Sequence, residues 1–264
     1  MYVERRGRGT PVLLLHGFGV DHRILLPLEA IFEGAAGEPG WERIYPDLPG
    51  FGRTPGRDDV RGSDDVVGEL VRFIGAEFGD RPFALVGNSW GGMLARAVAA
   101  RMPARVLGLC LLCPAIVAER GARDLPPRTV LKQAPELTSS LPATERELYQ
   151  AEAVVESPAD WERFREFVLP GLLAADEAAA RRIEADYGVR LEPGSGRYDG
   201  PTLLLTGRQD DIVGYRDTWR VLEDYPRATF AVLDAAGHNA PLERPDVVNP
   251  LVADWLRRIR AEAR

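Results

Sequence analysis

The chain has 264 residues, 45% of them hydrophobic, which fits one core-bearing domain or one domain with an insertion. Acidic residues outnumber basic ones 40 to 33, giving a net charge of −7 and a pI near 5.2. That balance argues against an electrostatic nucleic-acid footprint and against a basic membrane-binding face.

Taken in order, Tyr2 to Arg6 reads as a short first strand and Gly7 to Thr10 as a turn. The first residues contain no apolar core of the kind a secretory signal needs, so a cytoplasmic protein is the expectation. Pro11 to Leu15 is a fully apolar second strand ending at His16-Gly17-Phe18-Gly19. Ile24 to Phe32 has helical character, and a Gly/Pro loop follows from Gly34 to Gly40. Arg43 to Leu48 is a third strand candidate that runs into Pro49-Gly50-Phe51-Gly52. From Ser63, read as the cap, apolar residues Val66, Val67, Leu70, Val71, Phe73 and Ile74 recur at helical spacing. Phe83 to Val86 is strand-like, and Met93 to Met102 is rich in helix formers and closed by Pro103.

Val106 to Pro114 reads as a buried strand and carries Cys110 and Cys113. Residues three apart on a strand point to opposite faces, and no second ligand pair exists, so a metal or redox site is not expected. Lys132, the only lysine, lies in a polar region flanked by prolines, which argues against Schiff-base chemistry. From Ala115 to Tyr198 no strand is evident. A proline-rich stretch, read as a mobile flap from Leu125 to Pro142, precedes three expected helices. Thr144 with Glu147 forms a capping box for the first, Ser157-Pro158 opens the second, and the third runs from Asp176 to Tyr187. After Pro201 the earlier alternation returns: strand Thr202 to Thr206, helix Tyr215 to Tyr225, strand Thr229 to Leu233, and an amphipathic helix from Pro245. Continuously apolar strands alternating with helices indicate a parallel sheet covered on both faces.

Between the fourth strand and its helix stands Gly87-Asn88-Ser89-Trp90-Gly91, a G-x-S-x-G pattern in strand–turn–helix context. So sharp a turn strains the serine backbone, and bulk at Gly87 or Gly91 would collide as strand and helix cross. The serine oxygen is thereby lifted above the sheet, beside a helix N-terminus that favours negative charge. His16, Asp47, Ser89, Asp210 and His238 all follow predicted strands at the edge where open parallel sheets bind ligands. Ser89, Asp210 and His238 occur in the order serine, acid, histidine. An imidazole can take the serine proton during attack and return it to the leaving group, while a carboxylate fixes the imidazole's tautomer.

From about Val3 to Leu256 the chain resembles the α/β-hydrolase family, in its cofactor-free, lid-bearing members. The resemblance rests on H-G-F-G at 16–19, D-L-P-G-F-G at 47–52, G-N-S-W-G-G at 87–92, G-R-Q-D at 207–210 and G-H at 237–238. It implies an α/β fold with a mostly parallel central sheet and helices on both faces. A helical cap is expected to be inserted after the sixth strand, with 1–114 and 199–264 as the core and 115–198 as the cap. It also implies an oxyanion hole from the N–H groups of Phe18 and Trp90, no cofactor and no metal. The family spacing from Gly207 selects Asp210 over Asp211. By the same likeness His16 steadies the oxyanion loop and Asp47 holds its own loop. His22 belongs to no motif and is read as a surface or pocket-edge residue, and Asp234 as a turn acid.

A serine at the elbow argues against the aspartate-dependent dehalogenase and epoxide-hydrolase branches. The leading expectation is hydrolysis of a small to medium, largely apolar carboxylic ester. Phe18, Trp90 and cap aromatics such as Trp161 are expected to line an apolar acyl site with few charged anchors. Asn88 is similar to the elbow of meta-cleavage C–C hydrolases and Trp90 to that of proline iminopeptidases, which keeps both chemistries as alternatives. A ligand-binding relative with vestigial turnover is the non-enzymatic one. The partner implied is a small-molecule substrate, not nucleic acid or a membrane, and no motif speaks to oligomeric state.

Overall fold

The structure, a computed structural model, describes residues 1–32, 40–191 and 196–262. Seven strands form one sheet: β1 (Val3–Arg6), β2 (Thr10–Leu15), β3 (Trp41–Pro46), β4 (Phe83–Asn88), β5 (Val106–Leu112), β6 (Thr202–Gly207) and β7 (Ala228–Leu233). Their order is β1-β3-β2-β4-β5-β6-β7, with only β1 antiparallel to its neighbour β3. Strands β2, β4 and β6 are buried along nearly their whole length, as their unbroken apolar runs require of a sheet covered on both sides.

The helices of the sheet-building part are α1 (Glu29–Phe32), α2 (Ser63–Phe78) and α3 (Trp90–Arg101), met before β5. The segment between β5 and β6 carries α4 (Pro135–Ser140), α5 (Ala143–Glu152), α6 (Pro158–Phe167), α7 (Leu169–Ala174) and α8 (Glu177–Ala185). The chain closes with α9 (Arg216–Arg220), α10 (Ala240–Glu243) and α11 (Pro245–Glu262). From β2 the chain steps to β3 on one side, and from β3 it returns across β2 to β4. With right-handed crossovers this reversal puts α1 and α2 on opposite faces and opens a crevice beyond the ends of β2 and β4. Both H-G-F-G and the serine elbow start there.

Several expectations need correction. The helical excursion follows the fifth strand, not the sixth, because β1 already forms the antiparallel edge and no further strand precedes β5 among the described residues. Among the described residues the excursion holds five α-helices where three helices were expected; α4 and α7 have too few residues to show periodicity. It also contains an isolated bridge between Lys132 and Val155. Thr144 forms no capping box, since Pro142 occupies the cap of α5 and the helix begins at Ala143. Ser157 and Asp176 do cap α6 and α8, accepting N–H groups of their first turns. Gly62, not Ser63, stands at the cap of α2.

The proline-rich stretch read as a flap is hydrogen-bonded to the end of α5 and the residues just after it. Arg128 donates to the carbonyls of Gln150 and Ala153, and Leu131 N–H to that of Val154. The helix expected from Tyr215 to Tyr225 is the shorter α9 followed by a 3-10 turn, Leu222–Asp224. Of the loop expected from Gly34 to Gly40, only Gly40 lies within the described residues; its carbonyl accepts Thr10 N–H at 3.1 Å. Among the described residues no helix is long and apolar enough to cross a membrane.

Candidate active site

Ser89 joins β4 to α3 with φ 53° and ψ −119°, a left-handed conformation that costs a side-chain-bearing residue on the order of 1–3 kcal/mol. The surrounding close approaches hold it there. A Cβ on Gly91 would lie 2.2 Å from the Leu15 carbonyl oxygen, and one on Gly87 would lie 2.4 Å from that of Gly91. Backbone bonds complete the clamp: Ser89 N–H donates to the Leu112 carbonyl at 2.9 Å, and Ala115 N–H to the Ser89 carbonyl at 3.0 Å. The serine side chain therefore points away from the sheet, at the start of α3.

His238 Nε2 lies 2.8 Å from Ser89 Oγ, and His238 Nδ1 lies 3.0 Å from Asp210 Oδ2. Asp210 Oδ1 accepts the N–H groups of Ile212 and Val213 at 2.9 and 3.0 Å. Burial pushes the Asp210 carboxyl up, but the imidazole and these two amides outweigh it and hold it below the usual range. For His238 burial disfavours the charged ring. The hydrogen-bonded Asp210 carboxylate and, further off, Glu152 overcome that and raise its pKa. The carboxylate thus fixes the proton on Nδ1 and leaves the Nε2 lone pair to receive the serine proton. The neighbouring Asp211 has no place in this relay.

The loops around the relay are held by groups that are themselves fully engaged. His16 is buried; its Nδ1 donates to the Gly17 carbonyl at 2.7 Å and its Nε2 accepts Leu48 N–H at 2.9 Å. Burial lowers its pKa, so it is a neutral strut between two loops. Asp47 accepts the backbone N–H and Nδ1 of His22 and the N–H of Arg53. His22, read from sequence as a surface or pocket-edge residue, is buried in this clasp, because Asp47 draws it inward. Asp21, His22 and Asp47 are near enough to share a cation, with ligand atoms within 4.8 Å of one another. Their atoms are already spent on each other, on Arg23 and on backbone amides, so they act as a loop clasp. Cys110 and Cys113 are both buried, and Cys113 stands one residue beyond β5, against the Gly237 carbonyl.

Trp90 is the first residue of α3, so its N–H is among those a helix leaves without an internal acceptor. Phe18 lies in the loop that presses on the elbow, where a Cβ on Gly17 would sit 3.2 Å from Ser89 Cβ. The Phe18 ring packs edge-on against Phe51, Trp90 and Tyr187.

Ser89, His238 and Phe18 open onto a cavity of about 560 Å³ whose other walls are Ala118 to Arg120, Arg123, Glu152, Glu184 to Gly188, Ile212 and Val213. This corrects two expectations. The cavity is not sparsely charged: the exposed Glu119, Arg120, Glu184 and Asp186 and the half-buried Arg123 and Glu152 all line it. Trp161 and the Trp90 side chain are not among its walls. Trp161 is buried against Tyr149 and Phe164, and the Trp90 indole against Phe51 with its N–H on Ser63 Oγ. Both are packing residues. Asn88 is also turned away, its amide donating to the Leu112 carbonyl at 3.3 Å.

Sequence reasoning missed Arg123, Glu152 and Glu243, none of which belongs to a motif. Arg123 donates to the carbonyls of Val117, Ala118 and Ile212, stapling the loop after Asp210 to the excursion. Glu152, the last residue of α5, accepts from Asn239 Nδ2 at 2.5 Å; burial raises its pKa against the pull of His238 and Asn239. Glu243 accepts Gly237 N–H at 2.6 Å and Val154 N–H at 3.2 Å.

Residues 10–245 match the family described as alpha/beta hydrolase fold. A pimeloyl-[acyl-carrier protein] methyl ester esterase of Shewanella woodyi is 24% identical, with 98% of each chain covered. Among solved structures, an alpha/beta superfamily hydrolase from Oenococcus oeni superposes with a TM-score of 0.86 at 25% identity, covering 98% of this chain and 96% of that one. A thermophilic esterase from Thermogutta terrifontis does so with a TM-score of 0.72 at 24% identity, covering 98% and 93%. With the family's fold matched over most of its length, this chain belongs to the α/β-hydrolase family.

Proposed function

We propose that the protein is a serine hydrolase that cleaves carboxylic esters through an acyl-enzyme, with Ser89, His238 and Asp210 as its catalytic residues. The observation that carries this reading is the unbroken chain from Asp210 Oδ2 through His238 to Ser89 Oγ, ending in a substrate-sized cavity. The names of the Shewanella and Thermogutta relatives, both esterases, support the choice of ester.

Ser89 Oγ attacks the ester carbonyl carbon while His238 Nε2 takes the hydroxyl proton. The oxyanion is received by the N–H groups of Phe18 and Trp90, where one such donor is worth about 3–4 kcal/mol in the transition state. As the carbonyl re-forms, the C–O bond to the alcohol breaks and His238 passes its proton to the leaving oxygen. Water, deprotonated by the same imidazole, then releases the acid and restores Ser89. Asp210 stabilises the imidazolium in both half-reactions and remains ionised. Residues 115–198 act as the cap over this site, contributing Ala118 to Arg120, Arg123, Glu152 and the wall from Glu184 to Gly188.

The test is hydrolysis of p-nitrophenyl acetate and butyrate between about pH 6 and 9. Turnover with an acyl burst, lost in Ser89→Ala while the fold is retained, is the expected result. No turnover would favour a ligand-binding role, and undiminished activity in Ser89→Ala would reject the nucleophile.

A further inference from the structure

Glu152 is a half-buried carboxyl group that the reaction above does not use, yet it lines the reaction cavity. It ends α5, and that helix end abuts the His238 turn: a Cβ on Gly237 would lie 3.4 Å from the Glu152 carbonyl oxygen. Its Oε2 accepts from the Asn239 side chain, the residue after His238. Its Oε1 has no hydrogen-bond partner among the described residues while the side chain lines the cavity. The carboxylate is close enough to His238 to help raise the imidazole's pKa.

That position sets what Glu152 can touch. His238 Nε2 hands its proton to the departing alkoxide, so the wall beside His238 is the wall beside the leaving alcohol. The acyl side has different neighbours, with Phe18 and Tyr187 against the elbow. An alkyl alcohol would leave the free carboxylate oxygen desolvated and unpaired, which a site built around such a group penalises strongly. A hydroxyl would satisfy it. A cationic alcohol is the competing ligand, since Glu119, Glu184 and Asp186 line the same cavity while the Arg123 guanidinium is held on three carbonyls, and it is the third arm of the test.

We infer that Glu152 is a specificity residue that selects esters whose leaving alcohol carries a further hydroxyl group, as in monoesters of glycols and polyols. The inference rests on the esterase reading. Asn239 holds one carboxylate oxygen in place, and the other accepts the substrate hydroxyl as the ester settles over Ser89.

The experiment compares 2-hydroxyethyl butyrate with propyl butyrate, esters of equal length that differ by OH for CH3, and adds butyrylcholine as a cationic arm. Acid release is followed by pH-stat for the wild type, Glu152→Gln and Glu152→Leu. The wild-type kcat/KM ratio of hydroxyethyl to propyl ester is expected at about 10 to 100, the range of one hydrogen bond to a charged group. It should fall to about 1 in Glu152→Leu and lie between in Glu152→Gln, which keeps an acceptor oxygen. The ratio cancels any general effect of the substitution on His238 or on folding. A wild-type ratio near 1, an unchanged ratio in Glu152→Leu, or a preference for butyrylcholine would overturn the inference and leave the esterase reading standing. No turnover of any ester, with Ser89 also inert to a fluorophosphonate, would bring down both.

Discussion

The indole of Trp90 donates to Ser63 Oγ at 2.8 Å, and the same hydroxyl donates to the Tyr187 carbonyl at 2.6 Å. One serine thus joins the helix α3 that follows Ser89, the helix α2 and a residue of the cavity wall. Ser63→Ala would leave a buried indole N–H and a carbonyl without their partner. The expected cost is about 1–3 kcal/mol, read as a lower urea midpoint at unchanged slope. An unaltered midpoint would mean that this bond contributes nothing net.

Asp210 and Asp211 are adjacent in sequence but only the first meets His238. Asp210→Asn keeps the size of the group while presenting an amide to His238 Nδ1, which favours the wrong tautomer. A fall in kcat on the order of 10⁴ is expected with p-nitrophenyl butyrate. Asp211→Asn should stay near the wild-type rate. Comparable losses in both variants would show that the carboxylates exchange roles.

What the sequence discloses and what it hides follow from locality. Ser89, Asp210 and His238 each stand in a short stretch beyond an apolar strand, near a glycine whose missing side chain leaves room for a close neighbour, so their positions can be read from neighbours in the chain. The fold was legible for the same reason. Trp161 and Glu152 lie on helices of the excursion, and which side of such a helix meets the cavity depends on how it docks. Trp161 on α6 was therefore expected at the pocket and packs against Tyr149 and Phe164 instead, while an unremarked glutamate on α5 lines the cavity. His22 was misjudged because its partner Asp47 is 25 residues away.

The acid side of the pH profile should report His238. The imidazole accepts the serine proton only when neutral, and its pKa is raised above the ordinary 6.5 by Asp210 and Glu152 despite burial. Activity should therefore fall as pH drops, with a midpoint in kcat/KM above 6.5. Removing the nearby negative charge in Glu152→Gln should move that midpoint to lower pH. A wild-type midpoint at or below 6.5, or no movement in the variant, would contradict this electrostatic arrangement.

Glu243 bridges the His238 turn and the excursion by accepting Gly237 N–H and Val154 N–H, one on each oxygen. Burial is the main cause that pushes its pKa from 4.5 up to about 8, outweighing these two amides. A folded value raised above the unfolded one contributes stability that is complete below the unfolded value and is lost as pH climbs through the folded one. Glu243→Gln cannot titrate, and it offers only one acceptor oxygen to two N–H groups, so it should be less stable than the wild type at pH ~5. As pH rises to ~9 the wild type should lose its advantage by up to about 4 kcal/mol, while the variant, which shares every other titrating group, does not lose this contribution. Urea midpoints of both proteins at pH ~5, ~7 and ~9 measure the difference. A gap that stays constant across that range would show that Glu243 does not titrate there, and that the turn carrying His238 is held by an ordinary ionised carboxylate.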